Sequence, residues 1–312
     1  RRLATGRRQL TPPDLAMMDL LQLCIMRSSM MSASARSWSK PAPGHQWGAA
    51  LDDSRRAAFG DIQRDISQFS RLVIGMPLHP YQSQWANTAL RMAADHINGM
   101  IAVEMPRQSG KNETSAHLEL ALLSRFAGIG GEIVKCSPSF QPQTVNSKLR
   151  FAARSTEVIK RLYWLRFQPT QGYMYKGGRA LIQFLSADQK ANVVGATASL
   201  LLEVDEAQDV DPAKFNRDFS PMRASTGAPV IYYGTTWADT SLLEQAKIAI
   251  TEGRARGHAY RILPDVVASY NPNFGDHVDA EVHRLGRDHP LIKTQYFLEA
   301  LPSAGRLFSP DH

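Results

Sequence analysis

The sequence is poor in the residues that build disulfide frameworks and zinc sites. Among 312 residues there are only two cysteines, Cys24 and Cys136, and neither has a cysteine or histidine at metal-ligand spacing. The nine histidines are scattered and form no metal-binding pattern. No apolar run approaches the roughly 18 residues that a membrane-spanning helix requires. These absences argue against a disulfide-stapled secreted domain, a zinc module and a membrane protein, and they favour a reducing compartment.

Excess positive charge is also scarce outside the N-terminal segment. The net charge is +7, but residues 1–50 carry seven basic and two acidic side chains, which leaves only +2 for the rest of the chain. A DNA-binding function therefore has to rest on local basic patches. Residues 26–48 are rich in serine, alanine and proline, and residues 1–48 as a whole are predicted to be largely disordered. Within them, Met26, Met30 and Met31 are alternative start sites.

Strands and helices alternate from about residue 52 onwards. The short apolar runs "MIAVEM", "EIVKCS", "SLLLEV" and "PVIYYG" are typical of buried strands, and "YMYKGGRALIQFLSA" predicts a hairpin that turns at Lys176, Gly177 and Gly178. Helical periodicity marks residues 53–70, "QSQWANTALRMAADHING" with its closing Gly99, "KNETSAHLELALLSRF" and "QTVNSKLRFAARSTEVIKRLYWL". The alternation predicts an α/β fold whose mostly parallel central sheet is flanked by helices.

The stretch "EMPRQSGKNET" lies between a predicted strand and a predicted helix, which is the setting of a phosphate-binding loop. Met105 replaces the first glycine of such a loop, and Asn112 replaces its usual serine or threonine. Gly110 permits close approach of the backbone, so that N–H groups of residues 108–112 can cradle phosphate while Lys111 supplies a positive charge. A polar loop with a solvated lysine is the alternative for this stretch taken alone.

Two further strand ends carry polar residues. Asp205 and Glu206 end the apolar run in "SLLLEVDEAQD", where the first carboxylate is a candidate Mg²⁺ ligand and the second a candidate general base. Thr235 and Thr236 end "VIYYGTTW", at the sheet edge where open α/β sheets bind ligands. In isolation each pair has an ordinary alternative, a solvated acidic pair or a simple turn. For the metal, the amide of Asn112 and the Thr114 hydroxyl are further candidates.

The motifs "LHPYQSQWA", "PRQSGKNE", "SPSFQPQTVNSKLRF", "FLSADQ", "LLLEVDEAQDV" and "YYGTTW", in this order, resemble the ATPase domain of the large terminase subunit of tailed bacteriophages. The resemblance covers about residues 78–308. It implies a P-loop NTPase fold of the additional-strand type that binds ATP and Mg²⁺. The expected domains are an ATPase core over residues 49–238, a small lid over residues 239–302, and a linker over residues 303–312 toward a nuclease domain that this chain lacks.

The resemblance also implies roles for individual residues. Tyr81 and Gln82 are expected to border the adenine, Asp205 and Asn112 to serve the Mg²⁺, and Glu206 to activate water. Lys111 and Arg107 are expected to act with Glu206 in catalysis. The expected ATP-binding set is Tyr81, Gln82, Arg107, Gln108, Ser109, Gly110, Lys111, Asn112, Glu113, Thr235 and Thr236.

One position departs from the family pattern. Many relatives carry an arginine that acts on a neighbouring subunit's nucleotide just before the glycine matched by Gly195, and here that position is Val194. Lys190, Arg217 and Arg223 are the candidate substitutes, and the sequence does not choose among them.

One predicted helix is a candidate DNA contact. Its basic residues are candidates to follow DNA phosphates, although a solvated helix face is the alternative for each of them. They are Lys148, Arg150, Arg154, Lys160 and Arg161.

The expected function is an ATP-driven motor that feeds double-stranded DNA into procapsids in the host cytoplasm. The implied partners are the phage DNA, the portal protein, the small terminase subunit and further copies of this chain in a ring, with no membrane. Two alternatives remain open: a DExx-type DNA helicase or translocase, and a truncated module that binds nucleotide or DNA without turnover.

Overall fold

The computed structural model describes residues 59–139, 144–162, 165–170, 172–193 and 195–301. Three sequence-based expectations lie outside these residues: the disordered N-terminal segment, the C-terminal linker and the position of Val194.

An eight-stranded open sheet forms the centre of the described part. Its order is β3-β4-β5-β2-β6-β7-β1-β8. The edge strand β3 is antiparallel to β4, and β4 is antiparallel to β5 as the predicted hairpin requires, whereas all other neighbouring pairs are parallel. The strands are β1 (Met100–Glu104), β2 (Gly131–Ser137), β3 (Phe167–Pro169), β4 (Met174–Gly177), β5 (Ala180–Ser186), β6 (Leu201–Asp205), β7 (Val230–Gly234) and β8 (Gly257–Arg261).

The parallel strands are apolar because helices cover both faces of the sheet. Every residue of β6 and of β7 is buried. Strand β7 lies between β1 and β6, so one strand separates the strand that leads into the phosphate-binding loop from the strand that ends in the two carboxylates. The register pairs Asp205 with Tyr233 and Glu104 with Gly234, which brings three polar strand ends to one edge of the sheet.

Helices pack on the two faces as two apolar cores. One face carries α1 to α4, and the other carries α5 and α6. The helices are α1 (Ile66–Phe69, continuing as a π-helical turn over Ser70–Ile74), α2 (Pro80–Ala94), α3 (Lys111–Phe126), α4 (Val145–Arg161), α5 (Pro212–Lys214, continuing as a π-helical turn over Phe215–Phe219 and a 3-10 helix over Ser220–Arg223), α6 (Leu242–Thr251), α7 (Pro264–Tyr270), α8 (Pro272–Leu285) and α9 (Pro290–Gln295). No helix among the described residues is long and apolar enough to cross a membrane.

Two local expectations need correction. The helix expected over residues 53–70 is interrupted in its described part, because a turn at residues 63–65 precedes α1. Gly99 does not close α2, which ends at Ala94 with Asp95 as its C-cap. Within the range expected for the lid, residues 239–302, β8 pairs in parallel with β1. Where one domain ends and the next begins stays a prediction.

Candidate active site

The loop between β1 and α3 is tightly curled. Gln108 has a φ of 62° and Gly110 a φ of 90°, both in the left-handed region. A Cβ at Gly110 would lie 2.3 Å from Nε2 of Gln82, so this position requires glycine on two counts. Helix α3 begins directly afterwards, at Lys111. The first N–H groups of a helix have no acceptor within it, and they give this end of α3 a partial positive charge suited to an anion.

Lys111 is folded into this loop rather than extended into solvent. Its side chain is 5% exposed, and Nζ donates to the carbonyl oxygens of Met105 at 3.3 Å and Pro106 at 3.1 Å. Ser109 also tightens the loop, because its hydroxyl donates to the Pro106 carbonyl at 2.6 Å. An ammonium group is therefore held inside the loop by neutral carbonyls, with no carboxylate to neutralise it among these contacts.

Asn112 and Asp205, the two predicted metal-binding residues, lie side by side. With its amide nitrogen toward the carboxylate, Asn112 donates to Oδ1 at 3.1 Å and to Oδ2 at 3.3 Å. The Ser147 hydroxyl donates to the same carboxylate at 3.1 Å. Burial raises the pKa of Asp205 to about 6, and the neighbouring Glu206 adds to the rise, although Lys135 opposes it. A buried carboxylate beside a hydroxyl and an amide, whose oxygens can act as ligands, fits a hard cation such as Mg²⁺.

Glu206 is held in an unusual backbone conformation with a φ of 49°. Its Oε2 accepts a hydrogen bond from Nε2 of Gln208 at 2.8 Å. The side-chain oxygen of Gln208 accepts in turn from the backbone N–H of Thr235 at 3.1 Å. A Cβ at Gly234 would lie only 1.9 Å from that oxygen, so the bridge depends on glycine at the end of β7. Gln208 therefore joins the end of β6 to the end of β7.

Thr235 and Thr236 are both buried, but they have different hydrogen-bond partners. Thr235 is held through its backbone by Gln208. The hydroxyl of Thr236 donates to the carboxylate of Glu104 at the end of β1. The expectation that these residues contact the nucleotide stays a prediction.

Tyr81 and Gln82 brace the loop from outside. The Tyr81 hydroxyl and Nε2 of Gln82 each donate to the Ser109 carbonyl at 3.2 Å, and Oε1 of Gln82 accepts from the backbone of His79 at 2.9 Å. Burial raises the pKa of Tyr81 to about 12. The rings of His79, Tyr81 and Tyr270 cluster with centroids 5.5–5.8 Å apart. In this structure the polar atoms of Gln82 are thus committed to protein groups, and its role beside an adenine stays a prediction.

Arg107 lies on the outer side of the loop. Its guanidinium donates to Oε1 of Gln295 at 3.1 Å, and its backbone N–H donates to the Gln295 carbonyl at 2.8 Å. The side chain is exposed. Arg107 therefore ties the loop to the end of α9, and any contact with a γ-phosphate requires it to leave Gln295.

Glu113 connects α3 to the basic helix α4. Its carboxylate accepts from Arg154, from Arg150 at 2.8 Å and from His117 at 3.2 Å. Burial alone would raise the pKa of Glu113, but the hydrogen bonds from His117 and Arg154 outweigh it and lower the pKa to about 2. Glu113 therefore acts as an anion that holds α4 against the start of α3.

The remaining basic residues of α4 also have partners within the chain. Lys148 lies 4.7 Å from the ring centroid of Tyr173, Lys160 lies 2.7 Å from Glu157, and Arg161 donates to the carbonyls of Val73 and Ile74. Each of the five candidate DNA contacts on α4 is thus engaged by protein groups, and their binding to DNA stays a prediction.

The three candidates for the arginine that acts in trans occupy different places. Arg223 donates to the Ala228 carbonyl and to Asn98, which precede β7 and β1, so it lies at the opposite edge of the sheet from the phosphate-binding loop. Arg217 is exposed and paired only with its neighbour Asp218 among the contacts described. Lys190 is exposed and follows β5. The carboxyl end of β5 lies at the same edge of the sheet as the phosphate-binding loop.

A buried charged cluster lies behind the carboxylates. Nζ of Lys135 on β2 contacts the Glu119 carboxylate at 2.8 Å and the Ser115 hydroxyl at 2.7 Å. Glu203 on β6 accepts from Ser115 at 2.7 Å and from the Tyr233 hydroxyl at 2.8 Å. Burial, together with the Glu119 charge, raises the pKa of Glu203 to about 8. The cluster fixes α3 to three strands of the sheet.

Sequence reasoning missed Glu104, Ser147, Gln208 and this cluster. Gln208 carries the clearest signal, since it stands two residues beyond Glu206 in "DEAQD". Glu203 and Lys135 are visible only as charges inside otherwise apolar strands. Among the described residues, no group of three or more histidine, cysteine or acidic side chains is placed to hold a metal. Cys136 is buried with a free thiol, and burial raises the pKa of that thiol.

Solved structures share this arrangement of the sheet and its flanking helices. The large terminase of bacteriophage HK97 superposes with a TM-score of 0.62 at 16% identity, over 76% of this chain and 55% of that one. A mutant of the Thermus phage P74-26 large terminase ATPase domain gives 0.59 at 14% identity, over 76% of this chain and 100% of that one. A large terminase from a thermophilic bacteriophage, in complex with ATP-γ-S, gives 0.52 at 13% identity, over 71% and 52%.

The fold of this chain is therefore that of large terminase ATPase domains, as the sequence motifs predicted. The chain spans about half the length of the complete large terminases that it matches. No protein-family model and no curated protein sequence matches it.

Proposed function

We propose that this chain is the ATP-hydrolysing motor domain of a phage terminase, which moves double-stranded DNA into procapsids in the host cytoplasm. The observation that carries the proposal is the convergence of Lys111, the Asp205–Glu206 pair and Thr235 at one edge of the sheet. The likeness of the fold to large terminase ATPase domains supports it, and the neighbour bound to ATP-γ-S makes a nucleoside triphosphate the expected ligand.

In this proposal the phosphates lie at the start of α3. The backbone N–H groups of its first turn and Lys111 bind phosphate oxygens, and Lys111 exchanges the carbonyls of Met105 and Pro106 for them. Asp205, Asn112 and Ser147 are the residues that would hold Mg²⁺, which would supply positive charge to the phosphate oxygens.

Glu206 is the general base in this proposal. It accepts a proton from a water molecule as the water oxygen bonds to the γ-phosphorus, and the bond to the bridging oxygen breaks with its electron pair leaving on ADP. Gln208 orients Glu206 by donating to Oε2 while it holds the backbone of Thr235. Arg107 stabilises charge on the γ-phosphate once it leaves Gln295.

The partners in this proposal are the phage DNA, the portal protein, the small terminase subunit and further copies of this chain. Phosphoryl transfer in ring ATPases draws on a cation from a neighbouring subunit, and Arg217 and Lys190 are the exposed candidates here.

The proposal is tested with wild-type protein, Lys111→Ala and the matched control Lys176→Ala, whose lysine is exposed on β4. We expect Lys111→Ala to lose both binding of a fluorescent ATP analogue and Mg²⁺-dependent ATP hydrolysis, while Lys176→Ala keeps both. Addition of portal protein and double-stranded DNA is expected to raise turnover. Unchanged nucleotide affinity in Lys111→Ala contradicts the phosphate-binding loop, and strand separation of a forked duplex favours a helicase instead.

A further inference from the structure

Glu104 is a buried carboxylate that no part of the proposed reaction uses. It ends β1, is 1% exposed and directly precedes the phosphate-binding loop. Burial of an ionised carboxylate is costly unless cations and hydrogen-bond donors compensate for it. The groups that contact the Glu104 carboxylate therefore indicate what this buried charge does.

Three groups from outside β1 converge on this carboxylate. The hydroxyl of Thr236 donates to Oε1, and Nζ of Lys247 on α6 donates to the same oxygen at 3.1 Å. Nε of Arg261, the last residue of β8, forms an ion pair with Oε2 at 3.2 Å. Arg261 also donates to the Leu298 carbonyl at 2.6 Å. Glu104 thus joins the strand end before the loop to Thr236 and to the segment that follows β7.

The contact with Thr236 matters most, because it completes the fixation of two consecutive residues. The backbone of Thr235 is held by Gln208 from the side of β6, at 3.1 Å. The side chain of Thr236 is held by Glu104 from the side of β1. The polypeptide that leaves β7 at the proposed site is therefore fixed on both sides, by one residue linked to Glu206 and one that precedes the loop.

The two cations do not by themselves account for the position of this carboxylate. Lys247 also forms an ion pair with Glu244 at 2.7 Å, and the side chain of Arg261 is 52% exposed and reaches solvent. Neither cation therefore depends on Glu104 as its partner. Thr236 is buried, and no second acceptor for its hydroxyl is among the contacts described. Lys247 and Arg261 contact the carboxylate of Glu104, and this carboxylate orients the Thr236 hydroxyl.

We propose that Glu104 is a positioning residue for ATP hydrolysis: by accepting the hydrogen of the Thr236 hydroxyl, it fixes the end of β7 beside the general base. This inference rests on the proposed ATPase function. The inference predicts that ATP hydrolysis depends on a hydrogen-bond acceptor in the side chain of residue 104, and that nucleotide binding does not. It also ties the segment after β7 to the reaction, since Lys247 and Arg261 reach the same carboxylate.

The experiment compares Glu104→Met, which removes the acceptor and the charge, with Glu104→Gln, which removes the charge but keeps an oxygen that accepts from Thr236. Thr236→Val and Thr236→Ser test the hydroxyl in the same way. Glu252→Met is the matched control, because Glu252 forms an exposed ion pair with Arg254 at 2.6 Å. For each protein, kcat and KM for ATP, affinity for a fluorescent ATP analogue and the melting temperature are measured.

We expect Glu104→Met and Thr236→Val to lower kcat on the order of tenfold, with KM and nucleotide affinity unchanged. The double variant falls no further than either single variant, because both remove one interaction. Glu104→Gln and Thr236→Ser retain most of the wild-type kcat, and Glu252→Met retains all of it.

A role confined to stability predicts another pattern. Glu104→Gln and Glu104→Met then lose melting temperature together and keep the same kcat, which overturns the proposal, as does an additive double variant. If Glu104→Met does not fold, Thr236→Val tests the proposal instead. An unchanged kcat in Thr236→Val shows that hydrolysis does not depend on the Thr236 hydroxyl, and this result overturns the proposal. Failure of wild-type protein to bind and hydrolyse ATP counts instead against the ATPase function itself.

Discussion

The side chain of Gln208 accepts a hydrogen bond from the backbone of Thr235 at 3.1 Å, and so bridges the ends of two neighbouring strands. Its amide nitrogen donates to Glu206 on the other side at 2.8 Å. Movement of the segment after β7 therefore reaches the proposed general base through one side chain.

Replacement of Gln208 with leucine is expected to lower kcat for ATP hydrolysis by roughly tenfold, because Glu206 loses its hydrogen-bond donor and its fixed orientation. Affinity for a fluorescent ATP analogue is expected to stay unchanged, since Gln208 does not contact the phosphate-binding loop in the contacts described. Gln245→Leu, at an exposed position on α6, is the matched control. Loss of nucleotide affinity in Gln208→Leu, or an unaltered kcat, contradicts this role.

Gly110→Ala is expected to abolish nucleotide binding. The left-handed backbone at this position is strained by any side chain, and the new methyl group would lie 2.3 Å from Nε2 of Gln82, which then has to leave the Ser109 carbonyl of the loop. Gly253→Ala is the control, because Gly253 has a similar φ of 71° but no atom within 4 Å of the added carbon. The control is expected to lose about 1 kcal/mol of the free energy of unfolding and to keep nucleotide binding. Equal effects in the two variants would show that backbone strain alone is responsible.

The buried Glu203 is expected to make stability depend on pH. Its pKa is raised from an ordinary value near 4.5 to about 8, so the folded protein retains a proton that the unfolded chain has released. Its contribution to stability is therefore complete below pH 4.5 and is lost as the pH rises toward 8. Denaturant unfolding of wild-type protein and Glu203→Gln between pH 5 and 8 measures this effect. We expect the slope of stability against pH to be shallower in the variant, and identical slopes contradict a protonated Glu203.

One of the two exposed candidates, Arg217 or Lys190, is expected to act between subunits. We predict that the specific ATPase activity rises with protein concentration or on addition of portal protein and DNA, and that either Arg217→Ala or Lys190→Ala removes the rise without changing nucleotide affinity. Arg223→Ala is expected to keep the rise, because Arg223 binds Asn98 and the Ala228 carbonyl at the other edge of the sheet. A specific activity that stays flat from dilute to concentrated protein, with and without the partners, counts against a ring motor.

The main strands and the place of the site follow from the sequence because each depends on local pattern. Apolar runs that end in Glu104, Asp205 and Gly234 identify buried parallel strands, and parallel strands bring their carboxyl ends to one edge. The helix that begins at Lys111 follows from the periodicity of its apolar residues and from the glycine before it.

The interactions that orient the site do not follow from the sequence, since they depend on which strands are neighbours. Gln208 reaches Thr235 only because β7 lies beside β6, and Thr236 reaches Glu104 only because β7 also lies beside β1. Arg107 was expected at the phosphate, but its contact with Gln295 depends on the packing of a helix about 190 residues later in the chain. The same holds for Glu113, whose partners Arg150 and Arg154 lie on α4.

The central claim is that this chain hydrolyses ATP with Glu206 as the base. Its most direct test is Glu206→Gln, which keeps the shape and the hydrogen bond to Gln208 while it removes the proton acceptor. Affinity for a fluorescent ATP analogue and release of inorganic phosphate are measured on the same preparations of wild type and variant, with Mg²⁺ present. We expect affinity to be retained and phosphate release to fall by about 10² to 10⁴-fold. Phosphate release at the wild-type rate, or an equal loss of nucleotide affinity, contradicts the assignment of Glu206 as the base.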